Sequence, residues 1–132
     1  MARFKKVLLV EDDPITIMVC ERIIKMTEFA DEVLSCDNGQ KAINHIKAIV
    51  ADPTIVAPEI IFLDINMPVM NGWDFLEEFA AIKSSLHFTP KIYILSSTVD
   101  PEDYKKASSF GTVTSFLSKP LDKKFLDDIL AC

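Results

Sequence analysis

Ile60-Ile61-Phe62-Leu63-Asp64-Ile65-Asn66-Met67-Pro68 is the stretch on which the reading of this chain turns. Four apolar residues in a row suit a strand buried on both faces, as in a parallel sheet covered by helices, and not the alternation of a half-exposed strand. The run ends in one carboxylate. Met67-Pro68 and Asn71-Gly72 follow, and Pro and Gly so close behind a strand mark a turn before a helix. Asp64 is therefore expected at the mouth of a sheet, where an acid can serve chemistry or simply end the strand.

The flanking sequence repeats this pattern. Upstream, Val7-Leu8-Leu9-Val10 reads as a first buried strand ending in Glu11-Asp12-Asp13, and Pro14 fits the first turn of a helix. Ile15, Met18, Val19, Ile23 and Met26 then recur at helical spacing and predict the buried stripe of that helix, with its methionines as core filler. A short strand is expected around Val33-Leu34. After the turn Asp37-Asn38-Gly39, Ala42, Ile43, Ile46, Ile49 and Val50 form the next helical stripe, with His45 as a surface residue. Two prolines, Pro53 and Pro58, make the connection into the strand at Ile60 a stiff loop.

Downstream, Trp73, Leu76, Phe79, Ala80 and Ile82 mark a third helix, whose aromatics read as packing. Ile92-Tyr93-Ile94-Leu95 is a fourth strand ending in Ser96-Ser97-Thr98. Asp100-Pro101-Glu102-Asp103 supplies a cap, a first-turn proline and acids for a short helix to about Ser109, with Gly111 as a left-handed terminator. Val113 to Leu117 is a fifth strand, followed by Lys119-Pro120, and Leu121, Phe125, Leu126, Ile129 and Leu130 form the closing stripe. Five strands alternating with five helices define an α/β doubly wound sandwich, a flavodoxin-like (βα)5 parallel sheet of order 2-1-3-4-5 with ligands at the carboxyl ends of the strands.

Composition bounds the rest. At 132 residues, 49% hydrophobic and 26% charged, the chain reads as one globular domain over 1–132, without linker, repeat or output domain. Its net charge of -6 disfavours nucleic acid as a direct partner. The apolar run after the basic start is too short for a signal core or a membrane span. Three cysteines, Cys20, Cys36 and Cys132, have no metal-type spacing and point to a reducing, cytoplasmic setting.

On this fold, Glu11-Asp12, Asp64, Ser96 and Lys119 gather at one rim. Carboxylates brought together repel unless a cation neutralises them. A magnesium or manganese ion, which takes one or two protein carboxylates and keeps several waters, matches Asp12, Asp64 and a backbone carbonyl of the following loop, with Glu11 on a metal-bound water. The Lys119 ammonium balances an arriving anion.

With these residues assembled, the chain resembles the receiver domains of bacterial two-component response regulators over essentially its whole length. The matching residues are Glu11-Asp12 after Leu8-Leu9-Val10, Asp64-Ile65-Asn66-Met67-Pro68 with Gly72, the hydroxyl of Ser96, and Lys119-Pro120. The resemblance implies that Asp64 accepts a phosphoryl group from a sensor histidine kinase or a histidine phosphotransfer protein, and that the changed surface addresses a downstream effector protein. It implies magnesium on Asp12, Asp64 and the Asn66 backbone carbonyl with Glu11 assisting, phosphate contacts from Ser96 and Lys119, and Phe116 as an aromatic switch. Ser96 stands where threonine is frequent and keeps the hydroxyl while losing a methyl that restricts rotation. Ser97 stands where alanine is usual and still leaves room for the phosphate, and Phe116 stands where tyrosine is common and lacks the phenol's hydrogen bond. These changes bear on switching and not on phosphorylation. A relay carrier that passes the phosphoryl group to another protein's histidine shares every one of these residues. A phosphatase of the haloacid dehalogenase type needs a second aspartate where Asn66 stands, and a scaffold that takes no phosphate would not need the set at all. The expected role is a switch and not a dedicated enzyme.

Overall fold

The computed structural model describes residues 4–67, 70–97, 100–119 and 121–131, so the turns expected at Pro68 and Pro120, Thr98, and the thiol of Cys132 lie outside the described residues. Strands β1 (Phe4–Val10), β2 (Ala30–Cys36), β3 (Ile60–Asp64), β4 (Lys91–Ser96) and β5 (Val113–Ser118) alternate with helices α1 (Pro14–Met26), α2 (Gly39–Ala51), α3 (Gly72–Ile82), α4 (Pro101–Ser108) and α5 (Lys123–Leu130). The sheet is parallel, in the order β2-β1-β3-β4-β5 expected from the strand pattern.

Alternation along the central strands divides the core in two. Leu8, Val10, Ile61, Leu63, Ile92 and Ile94 pack with Ile43 and Ile46 of α2, Phe75, Leu76 and Phe79 of α3, and Ala107 of α4. Val7, Leu9, Ile60, Phe62, Tyr93 and Leu95 face the other way, onto Cys20 and Ile24 of α1 and Leu126 and Ile129 of α5. Both sides of β3 are therefore covered, which is why it carries an unbroken apolar run.

The expected face of α1 is wrong. Ile15, Met18, Val19 and Met26 are 68%, 52%, 42% and 73% exposed, whereas Cys20 and Ile24 are buried. Apolar residues occupy more than one side of α1, so the 3.6-residue period admits more than one stripe, and packing on the sheet selected Cys20 and Ile24 with Ile17 and Ile23 at their flank. The two methionines are surface, not core filler.

Two further expectations are corrected. Gly111 has no left-handed backbone. The end of α4 is closed instead by Ser109 N–H donating to the Lys105 and Lys106 carbonyls, the Ser109 hydroxyl donating to Lys106, and Phe110 N–H donating to Ala107. His45 is half-buried rather than a surface residue, with Nε2 2.9 Å from the buried Nζ of Lys6, which also donates to the Val56 carbonyl at 2.9 Å. Burial, and then the Lys6 charge, hold His45 below the ordinary imidazole range.

The left-handed residue lies elsewhere, at Glu28 (φ 53°) just after α1. Phe29 N–H donates to Ile24 and Glu28 N–H to Lys25, the paired bonds of a Schellman closure in which glycine is the usual residue. Glu28→Gly should therefore stabilise the fold by about 0.5–1 kcal/mol. Thermal unfolding should show a rise in Tm of roughly 2–5 °C.

Candidate functional site

The carboxyl ends of the strands are drawn level by backbone bonds. Glu11 N–H donates to the Cys36 carbonyl at 2.9 Å, tying the ends of β1 and β2, and Lys119 N–H donates to the Ser96 carbonyl at 2.9 Å, tying β4 and β5. Asp64 is the last residue of β3 and pairs in register with Leu95. The loop that follows is folded tightly under it. Gly72 N–H donates to the Ile65 carbonyl at 2.8 Å, and a Cβ on Gly72 would lie 2.5 Å from the Asp64 carbonyl oxygen and 2.8 Å from the Ile65 Cα. Only glycine fits between α3 and the end of β3. Asn71 caps α3 by accepting from Asp74 N–H at 2.9 Å.

Glu11, Asp12 and Asp64 come together here, with one carboxylate oxygen from each within 4.8 Å of the others. Glu11 and Asp64 are buried and Asp12 is half-buried. Glu11 Oε2 accepts from the Asp12 and Asp13 amides at 3.0 and 3.2 Å, while Oε1 is paired with the Lys119 ammonium. Lys119 Nζ also lies 3.3 Å from Asp64 Oδ1. Burial alone would lower the lysine pKa. The bond to Glu11 and the charges of Asp64 and Glu11 more than reverse that, and the ammonium is held above the ordinary lysine range. The Asp12 pKa is raised as well, by burial and then by its bond to Glu11, which for a carboxylate disfavours the charged form. Three carboxylates facing one ammonium leave two negative charges in excess, so the cluster is suited to a divalent cation.

Of the remaining residues read from sequence, Ser96 is 1% exposed at the end of β4, and Asn66 is exposed on the loop two residues beyond Asp64. Phe116 is half-buried on β5, with its ring centroid 4.2 Å from that of Tyr104 on α4. The sequence reading missed Tyr104, because nothing in an eight-residue amphipathic helix signals a ring contact to the next strand.

The chain belongs to the response regulator receiver domain family, whose model matches residues 7–131. A two-component response regulator from Cytophaga hutchinsonii superposes with a TM-score of 0.86 at 34% identity, covering 96% of this chain and 94% of that one. The receiver domain of the histidine kinase CKI1 from Arabidopsis thaliana, solved with Mg2+ and BeF3-, gives a TM-score of 0.82 at 25% identity over 96% of this chain and 88% of that one. Among relatives, the two-component response regulator ORR41 of Oryza sativa subsp. japonica is 31% identical over 127 residues, 96% of this chain and 91% of the relative. Other relatives are far longer, and the chain spans only 10%, 26% and 13% of an osmosensing histidine kinase, a protein-glutamate methylesterase and a sensor histidine kinase. Receiver domains of two-component systems act as signalling switches, and this chain has their fold and their acidic cluster. Among the described residues no helix is long and apolar enough to cross a membrane.

Proposed function

We propose that this domain, over 1–132, is a phosphorylation-dependent switch in which Asp64 accepts a phosphoryl group from the histidine of a sensor kinase or phosphotransfer protein. The observation that carries this reading is the convergence of Asp64, Asp12 and Glu11 with the Lys119 ammonium on one rim of the sheet. An Asp64 carboxylate oxygen attacks phosphorus in line, and the bond from phosphorus to the donor imidazole nitrogen breaks with its electron pair going to the imidazole. The product is an acyl phosphate on Asp64. Lys119 turns from its carboxylate partners toward the oxygens of the incoming group and offsets their charge. Asp12, Asp64 and the Asn66 carbonyl, with Glu11 through water, would hold a magnesium or manganese ion, which would supply further neutralisation of charge at this rim.

Signalling then depends on the residues around the acyl phosphate. Ser96 is buried, so donating its hydroxyl to a phosphate requires the end of β4 to shift, and Phe116 must give up its contact with Tyr104 to turn inward. Shifting a balance from 1:99 to 99:1 takes about 5.5 kcal/mol. One hydrogen bond to a charged group gives roughly 1.5–3 kcal/mol, so Ser96 and Lys119 are needed together. The changed face, formed by α4, β5 and α5, is read by a downstream effector protein in the cytoplasm.

Incubation with magnesium and acetyl phosphate, followed by intact-mass measurement, tests the reading: one phosphoryl group is expected, and a chain that gains none under these conditions is not a phosphoacceptor. Magnesium alone, at ten times its dissociation constant, should stabilise the protein by about 1.4 kcal/mol. Asp12→Asn should remove that increment and raise the Tm of the metal-free protein, since burial disfavours the ionised Asp12 carboxyl.

The exposed apolar face of α1 lies beside this rim, since α1 begins directly after Asp12 and Asp13, and Met18, Val19 and Met26 form a groove with Leu121 and Asp122. This face is the one a protein donor would cover when it brings its histidine to Asp64. Met18→Glu should slow transfer from a protein donor roughly tenfold and leave the acetyl phosphate rate unchanged.

A further inference from the structure

We infer that the cavity at the amino-terminal end of β4 and β5, at the opposite edge of the sheet from Asp64, is a binding site for a small aromatic carboxylate. The cavity encloses about 230 Å3. That is below the roughly 300–1,000 Å3 of sites for drug-sized molecules, so it admits a single ring with a short acid group. Its apolar wall is Phe79 of α3, 2% exposed, with the half-buried Leu86 and Phe88.

Three polar features of the lining point to an anionic head. Lys83 and Lys91 both line the cavity, and neither ammonium has an ion-pair partner among the described residues. Two cations on the rim of one cavity repel each other, and an anion seated between them relieves that repulsion. Glu59, which shares the adjoining groove with Lys91, accepts from the Lys5 amide at 2.9 Å. Thr112 Oγ1 is a buried side-chain oxygen without a hydrogen-bond partner among the described residues, and buried polar groups are rarely left so. The strand pairing is also interrupted at this point. Ile92 pairs with Val113 and Tyr93 with Ser115, so Thr114 is an extra residue opposite none, and it lines the cavity too. Bulges of this kind re-aim side chains next to sites. An aryl carboxylate would place its ring against Phe79, Leu86 and Phe88 and its oxygens toward Lys83, Lys91 and the Thr114 hydroxyl.

This inference stands apart from the phosphoacceptor reading and is tested without phosphorylation. The isotope-labelled protein is titrated with sodium benzoate, and in parallel with benzamide and sodium acetate at equal ionic strength, while backbone amide shifts are followed. Benzoate should produce saturating changes concentrated in residues 83–91 and 111–114, and the uncharged ring and the ringless anion should each bind at least about tenfold more weakly. The double variant Lys83→Gln/Lys91→Gln, altered only at exposed positions, should weaken benzoate about tenfold with an otherwise unchanged spectrum. Thr112→Val should raise the Tm of the free protein, since it removes an unpaired buried oxygen. Shifts that do not saturate or scatter over the surface, equal binding of benzamide and benzoate, or an unweakened double variant would each overturn the site.

Discussion

Asp64→Asn should abolish uptake of a phosphoryl group from acetyl phosphate while leaving the fold intact. An amide nitrogen or oxygen is a far poorer nucleophile than a carboxylate, and no neighbour is placed to substitute. Both oxygens of Glu11 are engaged, one by Lys119 and the other by the amides of Asp12 and Asp13, and the side chain is buried. Asp12 is more accessible, but its raised pKa reflects a carboxyl whose ionised form is disfavoured by burial and by Glu11. Because three carboxylates face one ammonium, removing one relieves more repulsion than the Lys119 contact at 3.3 Å supplies, so the Tm of the metal-free variant should equal or exceed that of the parent. The pairing of these outcomes is informative. Lost uptake with a retained or raised Tm marks Asp64 as the acceptor, kept at some cost to stability; retained uptake would show that the acceptor had been assigned to the wrong residue.

The strand ends were legible in sequence because each is a change of character within a few residues, from apolar runs to Glu11-Asp12, Asp64, Ser96 and Lys119. Parallel crossovers then force those changes to one edge, so topology supplies what spacing alone cannot. The buried face of α1 was not legible for the opposite reason. A helix apolar at Ile15, Ile17, Met18, Val19, Cys20, Ile23, Ile24 and Met26 has no unique stripe, and only its seat on the sheet chooses Cys20 and Ile24. His45 was misread for want of a third dimension. A lysine near a strand start and a histidine in a helix 39 residues later carry no mark of their 2.9 Å contact. The closure of α1 at Glu28 was hidden by composition, since a glutamate does not announce a left-handed backbone. The pattern also showed that Asn71-Gly72 turns the chain, but not that Gly72 lies against the backbone of Asp64 itself.

That contact makes Gly72→Ala the most damaging small substitution expected here. A methyl group at Gly72 would sit 2.5 Å from the Asp64 carbonyl oxygen, 2.8 Å from the Ile65 Cα and 3.2 Å from the Asp64 carbonyl carbon, all backbone atoms that no side-chain rotation can clear. Either α3 withdraws, loosening Phe75 and Leu76 from the core, or the end of β3 moves and carries Asp64 with it. The cost should be about 2–3 kcal/mol, read as a fall in Tm of roughly 8–12 °C. Phosphoryl uptake, measured well below that Tm, should fall roughly a hundredfold, the scale expected when a reacting group is displaced by about 1 Å. Gly111→Ala is the matching control. Nothing lies within 4 Å of a Cβ there and the backbone is not left-handed, so alanine should be neutral or slightly stabilising through the unfolded chain. Equal effects at the two glycines would mean that α3 is not held against Asp64 in the way the close approach requires; a large loss at Gly72 alone, in stability and in uptake together, ties the packing of α3 directly to the position of Asp64.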